Sequence, residues 1–269
     1  MNANISTAIV TYQPTQKVLE RTLATLAKSV SLAQKTKVLA SFKLFLFAND
    51  NNTQIINKSL NAVNFPLDME IIASDRNHGF GAAHNRLIER SASDFHLFLN
   101  PDAFLNENFF DTAITYMGQN PGSVLLGPRG WNDAGEDAYL VKAYPTLIDL
   151  SLRAIKSLCP SISLDRLSIY ECHNLAQNIP SKVLFLSGCA MLGRTEALKK
   201  LGGFDERYFM FFEDFDLCLR AAREGEIIYH PLLEVTHLGG NTSRKSLRII
   251  NHFVKSALIF YKAHGFRLI

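Results

Sequence analysis

The chain has 269 residues, of which 47% are hydrophobic and 20% are charged. These proportions allow a full apolar core in one large α/β domain and argue against a disordered chain. The formal net charge is only +3 at pH 7, and the isoelectric point is near 8.6. Such a mild basic excess does not favour a nucleic-acid partner, and we predict none.

The cysteines form no Cys-x-x-Cys pair, and no histidine is spaced for a structural zinc site. They are Cys159, Cys172, Cys189 and Cys218. We predict buried free thiols rather than a disulfide framework. The apolar run from Ile5 to Val10 is too short for a signal peptide or a membrane span. No later segment reaches spanning length, so we expect a cytoplasmic protein that meets membranes only from their surface.

Strand and helix patterns alternate through the first hundred residues. The predicted elements are a strand at 5–10, a helix from Pro14 through Val30, a strand at 42–48, a helix from Thr53 through Leu60, a strand at 69–73, a helix near 82–91 and a strand at 95–99. This alternation predicts an α/β fold with a Rossmann-like, mostly parallel sheet and helices on both faces. Ligands of such sheets bind beyond the carboxyl ends of the strands. The polar residues at those ends are Thr11, Asp50, Asp75 and Asp102.

Residues 129–180 fit this alternation poorly. Within them, apolar residues at helical spacing between Leu147 and Leu158 predict an amphipathic helix. We find no internal repeat or linker and predict a single domain for the whole chain. It would consist of a nucleotide-binding half (1–128), an acceptor-binding and catalytic half (129–243) and a C-terminal amphipathic helix (244–269).

A glycine-containing turn follows the third strand, with the sequence Asn-His-Gly-Phe-Gly-Ala-Ala-His-Asn at 77–85. Its backbone N–H groups and the next helix N-terminus could meet a diphosphate, with Asn77, Gly79 and Asn85 as donor-binding residues. One alternative is the dinucleotide-binding loop of an NAD enzyme, although His84 occupies the third glycine position. The other is a tight turn that needs glycine for backbone reasons alone.

An acidic residue follows the next strand, in Leu-Asn-Pro-Asp at 99–102. A divalent cation that neutralises a diphosphate is usually held by one or two carboxylates, phosphate oxygens and water. Asp102 is therefore a candidate ligand for Mg²⁺ or Mn²⁺. The alternative is that Asp102 only caps the helix that begins near Glu107.

A third motif carries acids into a helix predicted at 216–224. It reads Phe-Met-Phe-Phe-Glu-Asp-Phe-Asp at 209–216 and follows Ser-Gly-Cys-Ala-Met-Leu-Gly-Arg at 187–194 and Gly-Gly-Phe-Asp-Glu at 202–206. Adjacent carboxylates among aromatic side chains repel each other and are poorly solvated, which can raise one pKa and suit that group to general base catalysis. Glu213 and Asp214 are the catalytic candidates. The alternative is ordinary capping of the helix N-terminus by acids.

His237 ends a short predicted strand before a glycine pair. A neutral imidazole can complete a metal shell or hydrogen-bond a phosphate, although a lone histidine is more often structural. We treat His237 as a candidate metal ligand.

In this order the motifs resemble the family 2 inverting glycosyltransferases, particularly a bacterial rhamnosyltransferase-like branch that builds cell-surface polysaccharides. The resemblance covers Ile5 to about Ser243 and implies a GT-A fold. It implies that Asp102 is the metal-binding acid of the family's DXD motif and that Asp214 is the catalytic base. Asn100 replaces the first acid of a strict DXD motif, which makes a metal more dependent on Asp102, His237 and the donor.

The resemblance also implies that Thr11, Tyr12 and Asp50 hold the nucleotide base and ribose. Gln13 departs from the pattern, because many relatives carry Asn there. We add Asn100 and Gly188 to the predicted donor-binding residues.

The implied reaction moves a sugar from a nucleotide diphosphate donor to an acceptor hydroxyl, with inversion and with Mg²⁺ or Mn²⁺ as cofactor. The resemblance alone favours dTDP-rhamnose, and UDP-linked hexoses or N-acetylhexosamines are the alternative donors. The acceptor would be a cell-surface glycan or a lipid-linked precursor. The other hypotheses are an NAD-dependent oxidoreductase and a non-catalytic partner that binds nucleotide sugars.

No Asp or Glu occurs from Val235 onward, and apolar residues recur at helical spacing from Leu247 to Tyr261. We predict that this apolar stripe packs on the sheet. The basic residues Arg248, Lys255 and Lys262 fall seven apart on another side. They predict contact with an anionic membrane surface, which would bring a peripheral enzyme to a lipid-linked acceptor.

Overall fold

The computed structural model describes residues 2–158, 165–239 and 247–268. The strands are β1 (Ala3–Thr11), β2 (Leu39–Ala48), β3 (Met69–Ala73), β4 (Phe95–Leu99), β5 (Ala103–Leu105), β6 (Ser123–Trp131), β7 (Val141–Lys142), β8 (Ser181–Lys182), β9 (Phe185–Leu186), β10 (Ala190–Arg194) and β11 (Glu226–His237). The helices are α1 (Gln16–Lys35), α2 (Thr53–Ala62), α3 (Phe80–Arg90), α4 (Phe109–Gln119), α5 (Leu147–Leu158), α6 (Asp165–Tyr170), α7 (Thr195–Lys200), α8 (Glu213–Ala221) and α9 (Leu247–His264).

The N-terminal strands form a parallel sheet in the order β3, β2, β1, β4. In the register, Thr11 pairs with Ala48, and Ala48 pairs with Ala73. The carboxyl ends of β1, β2 and β3 are therefore level, as the alternating pattern predicts. Strands β3 and β4 have the predicted bounds, because each is a short apolar run that ends at polar residues or proline.

The same sheet continues into the second half of the chain, where the directions are mixed. Strand β10 lies antiparallel between β4 and β6, and β11 runs parallel to β6. Strand β11 has 12 residues, with a register shift between His230 and Glu234, around Pro231. It is longer than the short strand predicted, because proline interrupts the ladder without ending it. Its last residue, His237, pairs with Ala103 of β5.

Helices cover both faces of the sheet and bury two main apolar cores. Helix α1 contributes Leu19, Leu23 and Leu26 to one core, and α8 contributes Leu217 and its neighbours to the other. The predicted fold class, α/β with a central sheet between helices, is confirmed. Among the described cysteines, Cys189 and Cys218 are buried free thiols and Cys172 is a half-buried one, whereas Cys159 lies outside the described residues.

Helix α9 packs by a face that includes only the last two residues of the predicted apolar stripe, Ala257 and Tyr261. Its buried side chains are Ser256, Phe260 and Tyr261, whereas Leu247, Ile250 and Val254 of the predicted apolar stripe are exposed. Aromatic rings decide the orientation, because they bury the largest areas. The rings of Phe253 and Phe260 both lie 5.3 Å from that of Phe212, between centroids. The residues 240–246 of the predicted tail lie outside the described part of the chain.

The outward face of α9 therefore carries two kinds of side chain. Arg248, Lys255 and Lys262 are exposed, as are the apolar side chains of Val254 and Leu258. At 3.6 residues per turn, the basic row lies directly beside the apolar one. None of the helices described here is long and apolar enough to cross a membrane.

Candidate active site

A cleft of about 460 Å³ opens where β4, β10 and α8 meet. Of the predicted site residues, it brings together Asn100, Gly188, Glu213, Asp214 and His237. One wall comes from the ends of β4 and β11, and we call Asn100, Asp102 and His237 the strand-end wall. The opposite wall comes from the segment 138–170, and we call Lys142, Arg153 and Tyr170 the insertion wall.

Asp214 lies in the first turn of α8 between these walls. Its Oδ2 accepts a hydrogen bond from the backbone N–H of Gly188 at 3.1 Å, and its Oδ1 accepts one from that of Phe215 at 2.9 Å. Burial raises the pKa of the Asp214 carboxyl, and the two N–H groups offset part of that shift. The result is an oriented carboxylate whose basicity exceeds that of an ordinary aspartate.

Glu213 precedes Asp214 and lies deeper. Its side chain is buried, and its Oε2 has no hydrogen-bond partner among the described residues. Burial and then the charge of Asp214 raise the pKa of Glu213 well above its usual value. The proton is therefore held more tightly by Glu213 than by an ordinary glutamate, and its catalytic role stays a prediction.

The loop before α8 has an unusual backbone. Phe211 and Phe212 have φ values of 73° and 65°, in the left-handed region that residues with a side chain rarely adopt. Helix α9 holds this loop, because the Ser256 hydroxyl donates to the Met210 carbonyl at 2.8 Å and the Phe253 ring packs on Phe211. Helix α8 begins directly after this strained segment, at Glu213, which is three residues before the predicted start at Asp216. Asp214 therefore lies within the first turn of the helix.

The strand-end wall contains the predicted metal ligands. His237 Nε2 lies 3.3 Å from Asp102 Oδ1 and 3.2 Å from Asn100 Nδ2. With Nε2 deprotonated, its lone pair could bind a cation that also contacts the Asp102 carboxylate, in place of the hydrogen bond with Asn100. Neighbouring ligands at about 2.05 Å from an octahedral Mg²⁺ lie about 2.9 Å apart, close to the observed separation.

These two residues would supply only part of a coordination shell. Within residues 2–158, 165–239 and 247–268, no group of three or more His, Cys, Asp or Glu side chains is arranged to hold a metal ion. Mg²⁺ bound to nucleotides commonly takes one or two protein ligands and completes its shell with phosphate oxygens and water. The residues present fit such an ion and do not fit a metal held by protein alone.

The predicted nucleotide-binding residues at the ends of β1 and β2 differ in availability. Tyr12 is 49% exposed, so its ring is free to contact a ligand. Asp50 accepts the backbone N–H of Gln13 at 2.8 Å, which fixes the loop after β1. Thr11 is fully buried and its hydroxyl donates to the Phe47 carbonyl at 3.2 Å. The Thr11 carbonyl accepts the Asn49 N–H at 2.9 Å, so its hydroxyl and its carbonyl both bond to protein here, and its contact with a nucleotide stays a prediction.

The glycine turn is occupied by protein contacts instead of being open to a diphosphate. The Gly79 N–H donates to Asn77 Oδ1 at 2.8 Å, and Phe80 N–H donates to the Phe209 carbonyl at 3.0 Å. A Cβ at Gly79, where φ is 82°, would lie 2.2 Å from that Phe209 oxygen. Asn77 and Gly79 thus fix the turn against the loop before α8, and their donor-binding role stays a prediction.

Asn85 also has a positioning role. Its Nδ2 donates to the Phe204 carbonyl and its Oδ1 accepts the Phe204 N–H, both at 2.8 Å. It joins α3 to the Gly-Gly-Phe-Asp-Glu segment and is not among the residues that line the cleft, so these contacts do not support its predicted donor contact, which stays a prediction. The sequence analysis missed Asn49, which is buried and bonds to Asn77 Oδ1 and to the Gly79 carbonyl. Asn49 directly follows β2, and a polar residue at the end of a parallel strand is the sequence feature that could have identified it.

The insertion wall was not predicted from the sequence either. Lys142 Nζ lies 5.8 Å from the Tyr170 ring centroid, and the Arg153 guanidinium lies 5.7 Å from it. Tyr170 is 2% exposed and supports both cations from below. No local pattern in residues 129–180 marks these side chains, because their meeting depends on the folding of the whole insertion.

Asp216, the third acid of the motif, is structural. Its Oδ2 accepts from Arg220 Nε at 2.7 Å, and its Oδ1 lies 2.7 Å from His264 Nε2 of α9. Arg220 in turn donates to the Leu201 and Gly203 carbonyls. This buried network joins α8 to the Gly-Gly segment and to α9.

Comparison with known proteins agrees with this fold and cleft. A family model described as glycosyltransferase like family 2 matches residues 3–253. An N-acetylglucosaminyl-diphospho-decaprenol L-rhamnosyltransferase of Mycobacterium tuberculosis is 29% identical over 240 residues, which cover 85% of this chain and 74% of the relative. The rhamnosyltransferase WbbL of Escherichia coli K12 is 28% identical over 177 residues, covering 62% of this chain and 63% of the relative.

Among solved structures, GalNAc-T7 with UDP, GalNAc and Mn²⁺ superposes with a TM-score of 0.61 at 12% identity. The match covers 88% of this chain and less than half, 43%, of GalNAc-T7. Such a distant likeness concerns the fold alone. Fold and cleft define a glycosyltransferase of the GT-A type. The chain belongs to glycosyltransferase family 2, whose model covers most of the sequence.

Proposed function

We propose that this chain is an inverting, metal-dependent glycosyltransferase that moves a rhamnosyl residue from dTDP-rhamnose to an acceptor hydroxyl. Both curated relatives described above are rhamnosyltransferases by name. One of them is named for a sugar linked through diphosphate to decaprenol, which supports a lipid-linked acceptor or cell-surface glycan precursor here. UDP-linked hexoses and N-acetylhexosamines are the alternative donors.

The observation that carries the proposal is the Asp214 carboxylate in the cleft. Its two oxygens are oriented by backbone N–H groups, and burial raises its pKa, which favours uptake of a proton from a hydroxyl. We therefore assign the role of base to Asp214, and the deeper Glu213 beside it to the support of α8.

The step balances as a single displacement. Asp214 accepts the proton of the acceptor hydroxyl, and the hydroxyl oxygen forms a bond to the anomeric carbon. The bond between that carbon and the nucleotide diphosphate oxygen breaks, and the electron pair leaves with the diphosphate. Attack from the face opposite the leaving group inverts the anomeric configuration.

Asp102 and His237 would hold Mg²⁺ or Mn²⁺ together with donor phosphate oxygens. When bound, the ion neutralises charge on the leaving diphosphate. Asn100 lies 3.2 Å from His237 and keeps the imidazole turned toward this site. The Gly188 N–H is committed to Asp214, so Gly188 serves the donor site by shaping the base.

The nucleotide would lie along the strand ends, in the half formed by residues 1–128. Tyr12 is exposed there, and Asp50 shapes the loop that carries it. An open recess beside them is lined by Asp75, Arg76 and His78. The acceptor would enter from the other half, residues 129–243, past α5 and α9.

We extend the proposal to a peripheral membrane location, because a lipid-linked acceptor lies at a membrane surface. The exposed face of α9 combines a basic row with apolar side chains, a pattern typical of helices that lie in the membrane interface. This helix also borders the cleft through Phe253.

The decisive experiment is a thermal-shift panel of dTDP-rhamnose, UDP-glucose and UDP-N-acetylglucosamine with and without Mn²⁺, followed by NMR of the transfer product. A ligand that binds only the folded state raises its stability by mass action. We expect the largest shift for dTDP-rhamnose with Mn²⁺ and a product with inverted anomeric configuration. A retained configuration, or equal shifts with a chelator present, would contradict the proposal.

The competing functions have less support. An NAD site needs an open glycine turn, but Gly79 packs on the Phe209 carbonyl and His84 fills the buried third position. A non-catalytic nucleotide-sugar-binding partner would have no use for an oriented, basic Asp214. Slow hydrolysis of the donor by the isolated chain separates an enzyme from such a partner.

A further inference from the structure

Two cations converge on one ring in the insertion wall. Lys142 ends β7 and Arg153 lies on α5, and both contact the same Tyr170 ring from distances below 6 Å. Both side chains line the cleft that contains Asp214. The segment that forms this wall is separate in the chain from the strand ends at Asn100 and His237.

Carboxylates near these cations compensate them only in part. Glu171 Oε1 lies 3.8 Å from Lys142 Nζ, and the other oxygen of Glu171 lies 3.2 Å from His173 Nε2. Asp137 is engaged by Arg129 at 3.0 Å. Arg153 forms no ion pair with any carboxylate in the part of the chain that the structure describes. Within the insertion wall itself, the two cations therefore outnumber the one carboxylate, Glu171, that pairs with them, while Asp214 carries a negative charge elsewhere in the cleft.

Holding Lys142 in this position is costly for the free protein. Burial lowers the pKa of its ammonium to about 8, Glu171 offsets part of that shift, and Arg153 adds to it. A bound anion would relieve both the burial and the mutual repulsion. Lys142 also donates to the backbone carbonyl of Tyr139, which lines the same cleft, and this bond fixes the position of the ammonium group.

We propose that Lys142 and Arg153 bind a phosphate group that the acceptor carries next to its sugar. This inference rests on the proposed function and specifies its acceptor as a sugar phosphate or sugar diphosphate ester. The donor diphosphate has its own site on the strand-end wall, around Asp102 and His237. The acceptor hydroxyl would then lie between the two walls, within reach of Asp214.

The same phosphate chemistry could come from a soluble sugar phosphate or from a lipid-linked one. Leu150 of α5 and Phe253 of α9 line the cleft together with the cations. On α5, Ile148 and Ile155 are also exposed. An alkyl chain attached to the phosphate would therefore leave along apolar side chains, so a lipid-linked ester should bind better than a soluble one.

The first experiment measures anion binding without any transfer. Isothermal calorimetry with methyl diphosphate and with dodecyl diphosphate, in EDTA, compares the wild type with Lys142→Gln, Arg153→Gln and the double variant. Lys156→Gln on the same helix is the matched control, because Lys156 is exposed and does not line the cleft. Each cleft substitution should weaken binding by about tenfold, since charge-assisted hydrogen bonds are among the strongest.

The second experiment measures transfer to two acceptors with the same sugar, one an alkyl diphosphate ester and the other an uncharged alkyl glycoside. The double variant should raise KM for the diphosphate ester about tenfold more than KM for the glycoside, whereas Lys156→Gln should change neither KM. Lys142→Arg, which keeps the charge, should restore most of the loss. Melting temperatures of all variants exclude simple unfolding.

The outcomes separate the two proposals. Unchanged diphosphate binding in the double variant, or an equal loss for both acceptors, would overturn the phosphate site. Weakened dTDP or UDP binding in the double variant would assign the cations to the donor and overturn it as well. If diphosphate binding falls as expected but no acceptor is glycosylated, the anion site stands and the proposed function fails.

Discussion

The two walls of the cleft are built in opposite ways. Side chains of the strand-end wall come from the ends of sheet strands and contact one another, as Asn100, Asp102 and His237 do. In the insertion wall, Lys142 and Arg153 both contact the Tyr170 ring, so two positive charges lie near one aromatic side chain. One wall suits a cation, and the other suits an anion.

This difference between the walls suggests how the proposed enzyme would distinguish its donor from its acceptor. A nucleotide diphosphate and a phosphorylated acceptor carry similar charge, so charge alone would let each enter the site of the other. A wall that requires a bridging metal and a wall that supplies cations directly bind phosphates by different chemistry. If the donor binds through a metal at Asp102 and His237 as proposed, the metal concentration should govern donor binding and leave acceptor binding unchanged.

The largest effect is expected from the substitution of Asp214, the carboxylate that lies between the two walls. Asp214→Asn keeps the shape of the side chain and eliminates the base, so transfer should fall by about 10² to 10⁴. Donor affinity, measured by calorimetry with Mn²⁺, should be retained. Transfer at nearly the wild-type rate would rule out Asp214 as the base.

Glu213→Gln is the matched control for that experiment. Burial raises the pKa of Glu213, which favours its neutral form, and glutamine has the shape of that form, so transfer should decrease far less than in Asp214→Asn. The wild-type rate should also fall as the pH drops through the raised pKa of Asp214. Equal losses in both variants would mean that the two acids act as one unit.

The next effect tests the strand-end wall alone. Asp102→Ala should weaken metal-dependent donor binding by about 10- to 100-fold, because even residues that only support metal ligands are worth that much. Binding of methyl diphosphate in EDTA, which reports on the insertion wall, should not change. Calorimetry that found an unchanged donor affinity in saturating Mn²⁺ would remove the metal role of Asp102.

A smaller effect concerns the approach of the acceptor to the insertion wall. Changing Arg248, Lys255 and Lys262 together to Gln should lower binding to anionic vesicles about tenfold at low salt, since each basic residue near the surface contributes up to about 1 kcal/mol. Sedimentation with vesicles measures this binding, and transfer to a water-soluble acceptor should be unaffected.

The control for the α9 variant removes the same charge elsewhere. Lys28, Lys35 and Lys58 are exposed on α1 and α2, and their joint change to Gln should leave vesicle binding nearly intact. Equal losses in the two triple variants would indicate attraction by net charge alone. No vesicle binding by the wild type would leave α9 as a packing helix only.

The smallest effect lies beneath the cleft. His84 is fully buried, and neither ring nitrogen has a hydrogen-bond partner among the described residues. Replacing it by Leu should raise the free energy of unfolding by about 1 kcal/mol at pH 7, because an unsatisfied buried polar group costs about 1 to 3 kcal/mol. Denaturant unfolding measures the change.

The pH dependence of this variant gives a sharper test. Burial lowers the pKa of His84 well below 6.5, so only the unfolded chain binds a proton there as the pH falls. The wild type should therefore lose up to about 1.4 kcal/mol per pH unit below 6.5 that His84→Leu does not lose. A constant difference between pH 7 and pH 5 would show that His84 gains a proton in the folded state.

The strand-end wall was largely predictable from the sequence. Buried parallel strands are short apolar runs, so the ends of β3 and β4 could be located to the residue, and polar side chains at those ends pointed to a site. The same reasoning could not tell ligand contacts from structural ones. Asn85 and Thr11 have the expected positions, but their side chains form hydrogen bonds with backbone groups of the protein.

The insertion wall and the orientation of α9 could not be predicted. Lys142 and Arg153 meet only because β7 pairs with β9 and α5 packs on α6, and no local periodicity records such contacts. For α9, periodicity favoured the aliphatic stripe, but the rings of Phe253 and Phe260 reached an aromatic cluster that lies far away in sequence. Long-range packing outweighed local pattern in both cases.

The hold of α9 on the strained loop has a consequence for the biosynthesis of the enzyme. Domains fold from the N-terminus as the ribosome delivers about 5 to 20 residues per second, so the parallel half can assemble early. The left-handed Phe211 and Phe212 rely on Ser256 and Phe253, which are made some forty residues later. The loop that carries Asp214 can therefore reach its final conformation only after residues 253–256 have been synthesised and α9 has packed against it.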